Sequence, residues 1–382
     1  MKRKSGQAAR RLAALACAAA ALLSAGAAAR GISLPEAGAL GTALLKSQLP
    51  LQSGAEQSAP LGFLTALTIH DSALLMAARA EIGAAGERAA EPDGTENTET
   101  HEGTVIDPSE GETPALSEES DNGVAAKTIH PTNPAGYLVW KNVYITNTSN
   151  YVPDLNTLMQ SRPAAVFTDE MPQILILHTH GSEAYTMPEG QEYAASGESR
   201  TLDTEYNVVR VGDEIASVFE EHGISVLHDR TLYDAAGYND AYDRADDAIQ
   251  AYLQKYPSIH FVLDIHRDAI EDSAGTSYKV ISQVDGKNAA QLSIVVGTDG
   301  SGAPHDHWEE NLKLAVLLQQ HLTERYPTLM RPMYLRNSRY NEHATTGSLL
   351  VEVGAAGNSL DEALYAARLF AEGAVEVFET LR

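Results

Sequence analysis

From residue 135 onward the chain alternates short apolar runs with stretches that repeat every three to four residues, and this alternation confines the fold more than any other feature. Tyr137-Leu-Val-Trp140, Val143-Tyr-Ile-Thr146, Gln173 to His178, Ile224 to Leu227, Ile259 to His266, Tyr278 to Val284, Leu292 to Val296 and Ser348 to Val353 read as strands. Between them Val208, Val211, Ile215 and Phe219, and again Trp308, Leu312, Ala315, Leu318 and Leu322, recur at helical spacing, so each segment lays an apolar stripe on a sheet. Strands alternating with helices predict an α/β layered sandwich.

Open α/β sheets build their sites just past the carboxyl ends of their strands. Three ends carry ionisable side chains: His178, His180 and Glu183 after the first buried run, Asp264, His266, Arg267 and Asp268 at the third, and Glu352 within Leu349-Leu-Val-Glu-Val353. If these strands run parallel, His180, Glu183 and His266 meet at one ion despite their separation along the chain. Two neutral imidazoles and one carboxylate suit Zn2+ and leave it a net positive charge, enough to acidify a water to a pKa of about 7 and to polarise a carbonyl. Glu352, set deep by its apolar strand and followed by Gly354, is the expected base outside the metal shell, taking a proton from water and passing it to a leaving amine.

His178 and His180 share a face if the strand continues through them, so either can ligate; the His-x-x-Glu spacing of 180 to 183 favours His180 and leaves His178 a supporting or core role. Asp264 can orient His266 only if the chain bends between them. Arg267 offers a planar fork to a substrate carboxylate, or pairs with Asp268 or other neighbours. His305-Asp-His-Trp308 reads as a helix start capped by Asp306, with Glu309 and Glu310 in the first turn, ahead of a second metal cluster. There is no Gly-x-x-x-x-Gly-Lys phosphate loop and no Gly-x-Ser-x-Gly elbow, so nucleotide hydrolysis and serine chemistry lack their usual signals.

The N-terminal third has a different character. Lys2, Arg3, Lys4, Arg10 and Arg11 precede an Ala/Leu-rich run from Leu12 to Ala29, so residues 1–31 read as an export signal or a membrane anchor. Ala25-Gly-Ala27 and Ala27-Ala-Ala29 both look like cleavage sites, which leaves removal and retention open. Residues 32–85 read as a partly helical juxtamembrane region and residues 86–134 as an acidic disordered linker. From Gly86 to Gly123 twelve acidic residues face Arg88 alone, a net charge of 1 − 12 = −11, and large apolar side chains are almost absent. About fifty such residues let a tethered domain explore roughly 40 Å. The whole chain carries 27 − 52 = −25, which argues against a nucleic-acid partner. Its one cysteine, Cys17, lies in the N-terminal apolar run, so a metal in the folded part, residues 135–382, must be held by His, Asp or Glu.

At Leu177-His-Thr-His-Gly-Ser-Glu-Ala-Tyr185, Asn207-Val-Val-Arg-Val-Gly212, Asp264-Ile-His-Arg-Asp268, and Leu350-Val-Glu-Val-Gly354 with Asn358, the chain resembles the stage II sporulation protein P family over roughly residues 137–382. That family is related to the zinc N-acetylmuramoyl-L-alanine amidases. The resemblance implies a three-layer, phosphorylase/hydrolase-like α/β amidase fold with one catalytic Zn2+. It implies a peptidoglycan hydrolase that cuts the amide between the muramic lactyl group and L-alanine, with an endopeptidase action on stem-peptide crosslinks, during septal thinning and engulfment in sporulation. The domain would face the cell wall or the intermembrane septal space from the cytoplasmic membrane, with stage II sporulation proteins D and M as partners. The wider amidase pattern places its acidic ligand later in the chain, so Glu205 competes with Glu183. Glu205 and Asn207 therefore join His178, Arg267 and Asp268 as candidates for substrate contact or for support of the ligands. A non-catalytic wall-binding scaffold on the same fold and a zinc carboxypeptidase with the same ligands are the competing readings.

Overall fold

The computed structural model describes residues 104–106 and 122–382, apart from 192 and 198. The chain divides into two units, residues 1–94 and 95–382, and every described residue lies in the second. The expected signal or anchor over residues 1–31, the juxtamembrane region over 32–85 and most of the acidic linker lie outside the described residues.

One eight-stranded sheet carries the unit. Its order is β3 (Leu138–Trp140), β4 (Val143–Asn147), β12 (Met333–Leu335), β11 (Leu292–Val296), β13 (Gly347–Ala355), β7 (Phe261–Asp268), β5 (Ile174–Leu177) and β6 (Val226–His228). β13, β7, β5 and β6 run parallel, β11 is antiparallel to β13, and β12 and β4 follow β11. The condition set by the sequence, that the three ionisable strand ends lie side by side, is met.

The two-residue period of a strand feeds two cores from one run of residues. Ile174 and Ile176 of β5 pack with α2 (Val208–Glu221), α4 (Trp308–Arg325) and α5 (Leu360–Glu379), through Val211, Phe219, Leu318 and Phe378 among others. Leu175 and Leu177 turn to the opposite face and meet Ala241, Ala245 and Ile249 of α3 (Ala241–Lys255). Helices on both faces of one sheet make the three-layer α/β sandwich, and each fully buried Leu or Ile stabilises it by roughly 2 kcal/mol. A short helix α1 (Leu155–Leu158) starts on an Asp154 cap near the edge strands. Asn207 caps α2 by accepting from the Val209 N–H at 3.0 Å, and Ser359 with Glu362 forms a capping box at the start of α5.

Two pieces of the expected linker belong to the folded unit. β2 (Ala125–Lys127) pairs in parallel with β9 (Tyr278–Val284), which is antiparallel to β10 (Lys287–Ala290). β1 (Thr104–Ile106) pairs in parallel with β8 (Ile270–Asp272). Edge pairing is made by the backbone, so a polar, acidic composition does not forbid it. The N-cap of α4 is His307, without a side-chain cap bond, in place of the expected Asp306.

Gly354 occupies a position that favours glycine. It sits at φ +72, where a Cβ would lie 2.8 Å from that of Ala290, and the register of β13 on β7 shifts between Glu352 and Ala355. The regular pairing of β13 on β7 is therefore interrupted directly after Glu352.

Candidate metal centre

In the β13–β7–β5 register Leu177 lies beside Asp264, and Glu352 beside His266. The loop leaving β5 then turns back so that ligand atoms of His180, Glu183 and His266 all lie within 4.8 Å of one another, each residue buried. His266 Nδ1 is 3.4 Å from Glu183 Oε2, and His180 Nδ1 is 3.8 Å from Glu183 Oε1. Zinc with tetrahedral ligands at about 2.0 to 2.1 Å keeps them about 3.4 Å apart, so both the donor set and its spacing fit that ion.

The surrounding groups fix these side chains. Asp264 Oδ1 stands 2.9 Å from His266 Nε2, and its carboxylate accepts from the Thr179 N–H at 2.8 Å and Oγ1 at 2.6 Å. A carboxylate on the far nitrogen of a ligating imidazole sets the ring's orientation and raises its basicity. No bend is needed: Asp264 and His266 share one face of β7, and the carboxylate and ring together span the two-residue gap. The backbone N–H of Arg267 donates to Glu183 Oε2 at 3.1 Å. Burial works against charge on His266, but Asp264 and Glu183 outweigh it and hold the imidazole well above its usual range. Burial likewise pushes Asp264 up, yet His266 and Thr179 hold it below the ordinary carboxylate range. Two buried carboxylates gathered on these rings favour a positive charge among them, which a divalent cation supplies.

His178 is not part of this cluster. β5 ends at Leu177, so the alternation expected through 178 and 180 is broken and the two rings turn to different helices. His178 Nδ1 donates to the Ile265 carbonyl at 2.9 Å, and its Nε2 meets His228 Nε2 at 2.8 Å beneath Gly212 of α2. Burial, then the neighbouring His228, pushes His178 down to about 3. His180 faces α3 instead, stacked on Tyr238 at 4.0 Å and edge-on to Tyr242 at 5.3 Å.

The other candidates separate by their partners. Glu205 is 68% exposed and lies 3.7 Å from Arg230, away from the cluster, so the acidic member of the group is Glu183. Asn207 caps α2 and donates to the Thr201 carbonyl. Arg267 is buried and bonds the carbonyls of Ala184, Asp268 and Ser199, so its fork clamps the 184–199 loop and has no free edge for a substrate carboxylate. Asp268 binds Arg331 at 3.0 Å and Thr104 Oγ1 at 2.8 Å, tying β1 to the sheet. Glu352 is buried on the strand beside His266, and its charge reaches Tyr185 and Tyr238.

Three residues of the site had no signal in the sequence. Tyr238 and Tyr242 come from the approach to α3 and its first turn, and Arg200 from the loop before α2. Arg200 is 23% exposed, bonds Asp234 at 3.0 Å, approaches Glu183 at 3.6 Å and lies over the Tyr238 ring at 4.8 Å. None follows a strand directly, so only the folded arrangement brings them to the ligands. His305, His307 and His343 gather at the start of α4, yet among the described residues they do not form a group with metal-ligand spacing.

The family model for Stage II sporulation protein P (SpoIIP) matches residues 70–374. The Stage II sporulation protein P of Bacillus subtilis strain 168 is 26% identical over 231 residues, which cover 57% of this chain and 54% of that protein; the chain thus spans about half the length of the curated relative it matches. Among solved structures, the CwlD amidase of Clostridioides difficile in complex with the GerS lipoprotein is similar at 13% identity, covering 55% of this chain and 99% of that chain, with a TM-score of 0.35. The apo N-acetylmuramyl-L-alanine amidase Ami1 of Mycobacterium abscessus is similar at 14% identity, covering 55% and 98%, with a TM-score of 0.32.

Proposed function

We propose, from the premise that the chain belongs to the Stage II sporulation protein P family, that its folded unit is a zinc-dependent peptidoglycan hydrolase of sporulation, an N-acetylmuramoyl-L-alanine amidase with a further endopeptidase action on stem peptides. The observation that carries this reading is the buried group of His180, Glu183 and His266 with Glu352 on the adjoining strand. His180, Glu183 and His266 would hold the ion. Zinc bound there would supply Lewis acidity toward a water and an amide carbonyl.

The chain's own residues do the remaining work. Asp264 keeps the His266 ring turned so that Nδ1 faces Glu183. Tyr238 and Tyr242 wall His180 against bulk water. Glu352 accepts a proton from the attacking water as its oxygen bonds to the carbonyl carbon, then delivers that proton to the amine nitrogen as the carbon–nitrogen bond breaks. The products are a lactyl carboxylate and a peptide with a free N-terminal alanine. No helix of the described residues is long and apolar enough to cross a membrane, so placement at the cytoplasmic membrane, facing the septal wall, rests in this proposal on residues 1–31. Stage II sporulation proteins D and M are proposed as partners on family kinship alone.

Full-length protein with stoichiometric zinc, incubated with purified peptidoglycan, is expected to release stem peptides whose mass shows an N-terminal alanine, and a chelator is expected to stop the release. Glu352→Gln should retain bound zinc while losing turnover by about 10²- to 10⁴-fold. Absence of released peptide at full zinc loading, or release that persists in chelator, would end the hydrolase reading in this form.

A further inference from the structure

Arginine side chains in this fold are spent on partners, with one exception. Every other described arginine holds a carboxylate or a backbone carbonyl. Among the described residues nothing accepts a hydrogen bond from the guanidinium of Arg336, although its Nε is buried. The group lies over the ring of Tyr334, with its Cζ 4.9 Å from the ring centroid. Arg336 is half-buried: its Nε is cut off from water without an acceptor, while the end of its fork stays open to solvent and to a ligand.

Its position gives the cation a purpose. Arg336 follows β12 on the side of the sheet occupied by Tyr334, two residues earlier. Tyr334 packs against a patch of Tyr242, Val295, Tyr340 and Leu350, and Tyr242 in turn stacks 6.5 Å from His266. Arg336 also lies within the electrostatic reach of Glu352 and Asp268. The unspent fork therefore sits on the same face as the proposed base and ligands, one aromatic patch away from them. Asp268 is already engaged by Arg331 and Thr104, so it is not the acceptor.

We infer that Arg336, resting on Tyr334, is an anion-binding subsite that takes a free carboxylate of an acidic peptide lying over the sheet face that carries Glu352. The inference rests on the proposed peptide substrate and deepens it: the class of ligand is a peptide with an ionised carboxylate a residue or more from the bond that is cut. A guanidinium fork matches both carboxylate oxygens at once, whereas an amide in the same place offers one acceptor and no charge.

The test compares N-acetylmuramoyl-L-alanyl-D-glutamine, whose α-carboxylate is its one free carboxylate, with the corresponding α-amide, N-acetylmuramoyl-L-alanyl-D-glutamine amide, which has none. Binding of each is measured by calorimetry on the full-length, zinc-loaded Glu352→Gln protein, with and without the additional change Arg336→Gln. The acid is expected to bind about 10- to 100-fold more tightly than the amide, the range of one charge-assisted paired contact. Arg336→Gln should erase that preference, and Arg336→Lys, which keeps the charge without the fork, should retain part of it. Equal binding of acid and amide, no binding of either, or an acid preference that survives Arg336→Gln would each overturn the inference. Substitution here removes no bond among the described residues, so the variants are expected to fold, which a matching unfolding midpoint verifies. The hydrolase reading stands or falls separately: an Arg336-dependent acid preference in a protein that releases no peptide sinks that reading alone, while equal release from acidic and amidated wall sinks only the subsite.

Discussion

Gly212 shows how tightly the support of the site is built. A Cβ at this position would lie 2.6 Å from the Nε2 atoms of both His178 and His228, so Gly212→Ala forces the two rings apart or α2 away from β5. The expected cost is about 1 to 3 kcal/mol, read from the urea midpoint. A second residue makes stability respond to acid. Burial, together with the charges of His307 and His343, pushes His305 down to about 4 from an ordinary 6.5. Between those values the unfolded chain binds the proton that the folded protein refuses, so stability rises with pH across that window and is lost on acidification. The loss through this residue reaches about 3 kcal/mol by pH 4, and His305→Asn should flatten that limb of the midpoint-against-pH curve. At this scale the candidate ligands were legible because His180, Glu183 and His266 follow apolar runs, where chain direction alone implies convergence. Arg267 misled for the same reason: its place at a strand end was readable, but the carbonyls that occupy its guanidinium belong to a loop some 70 to 80 positions earlier.

Among the elements, the turn from β13 into α5 couples two sheets to a helix. Asn358 accepts from the N–H groups of Val280 and Ala355 and donates to the Val280 carbonyl and to Glu362, so one side chain ties β9, β13 and the α5 capping box together. Asn358→Ala leaves several of these buried groups without partners and is expected to cost about 3 kcal/mol in thermal or denaturant unfolding. Ser359→Ala, which removes only the cap, should cost about 1 kcal/mol. Seven of the eight strands of the main sheet were readable as apolar runs, and α2 and α4 because their stripes are strong; the three-residue β12 is too short to stand out. α3 rests on Ala241, Ala245 and Ile249, too little apolar surface to stand out, and β1 and β2 are backbone pairings inside an acidic stretch whose composition suggested none.

For the whole molecule, the three candidate ligands join a loop after β5 to β7, segments far apart in sequence, so occupancy should act on global stability. At a zinc concentration about 100 times the dissociation constant the gain is about 2.7 kcal/mol, or roughly 5 to 10 °C in Tm, lost on adding chelator. Scanning calorimetry checks this without any activity measurement, and His266→Ala should make the Tm indifferent to chelator. The layer arrangement carries a further consequence. Among the described residues α3 is the one long helix on the face that holds the cluster, and it lies over β5 and β7, while on the β12 side Tyr334 is half-buried and its hydroxyl meets Thr104 of β1 at 3.1 Å. In the proposed hydrolase, a face with one long helix over part of its width would not require a polymer to be threaded in by a free end. A strand of a closed, crosslinked network would approach sideways, and interior bonds of an intact mesh would be as reachable as its loose termini.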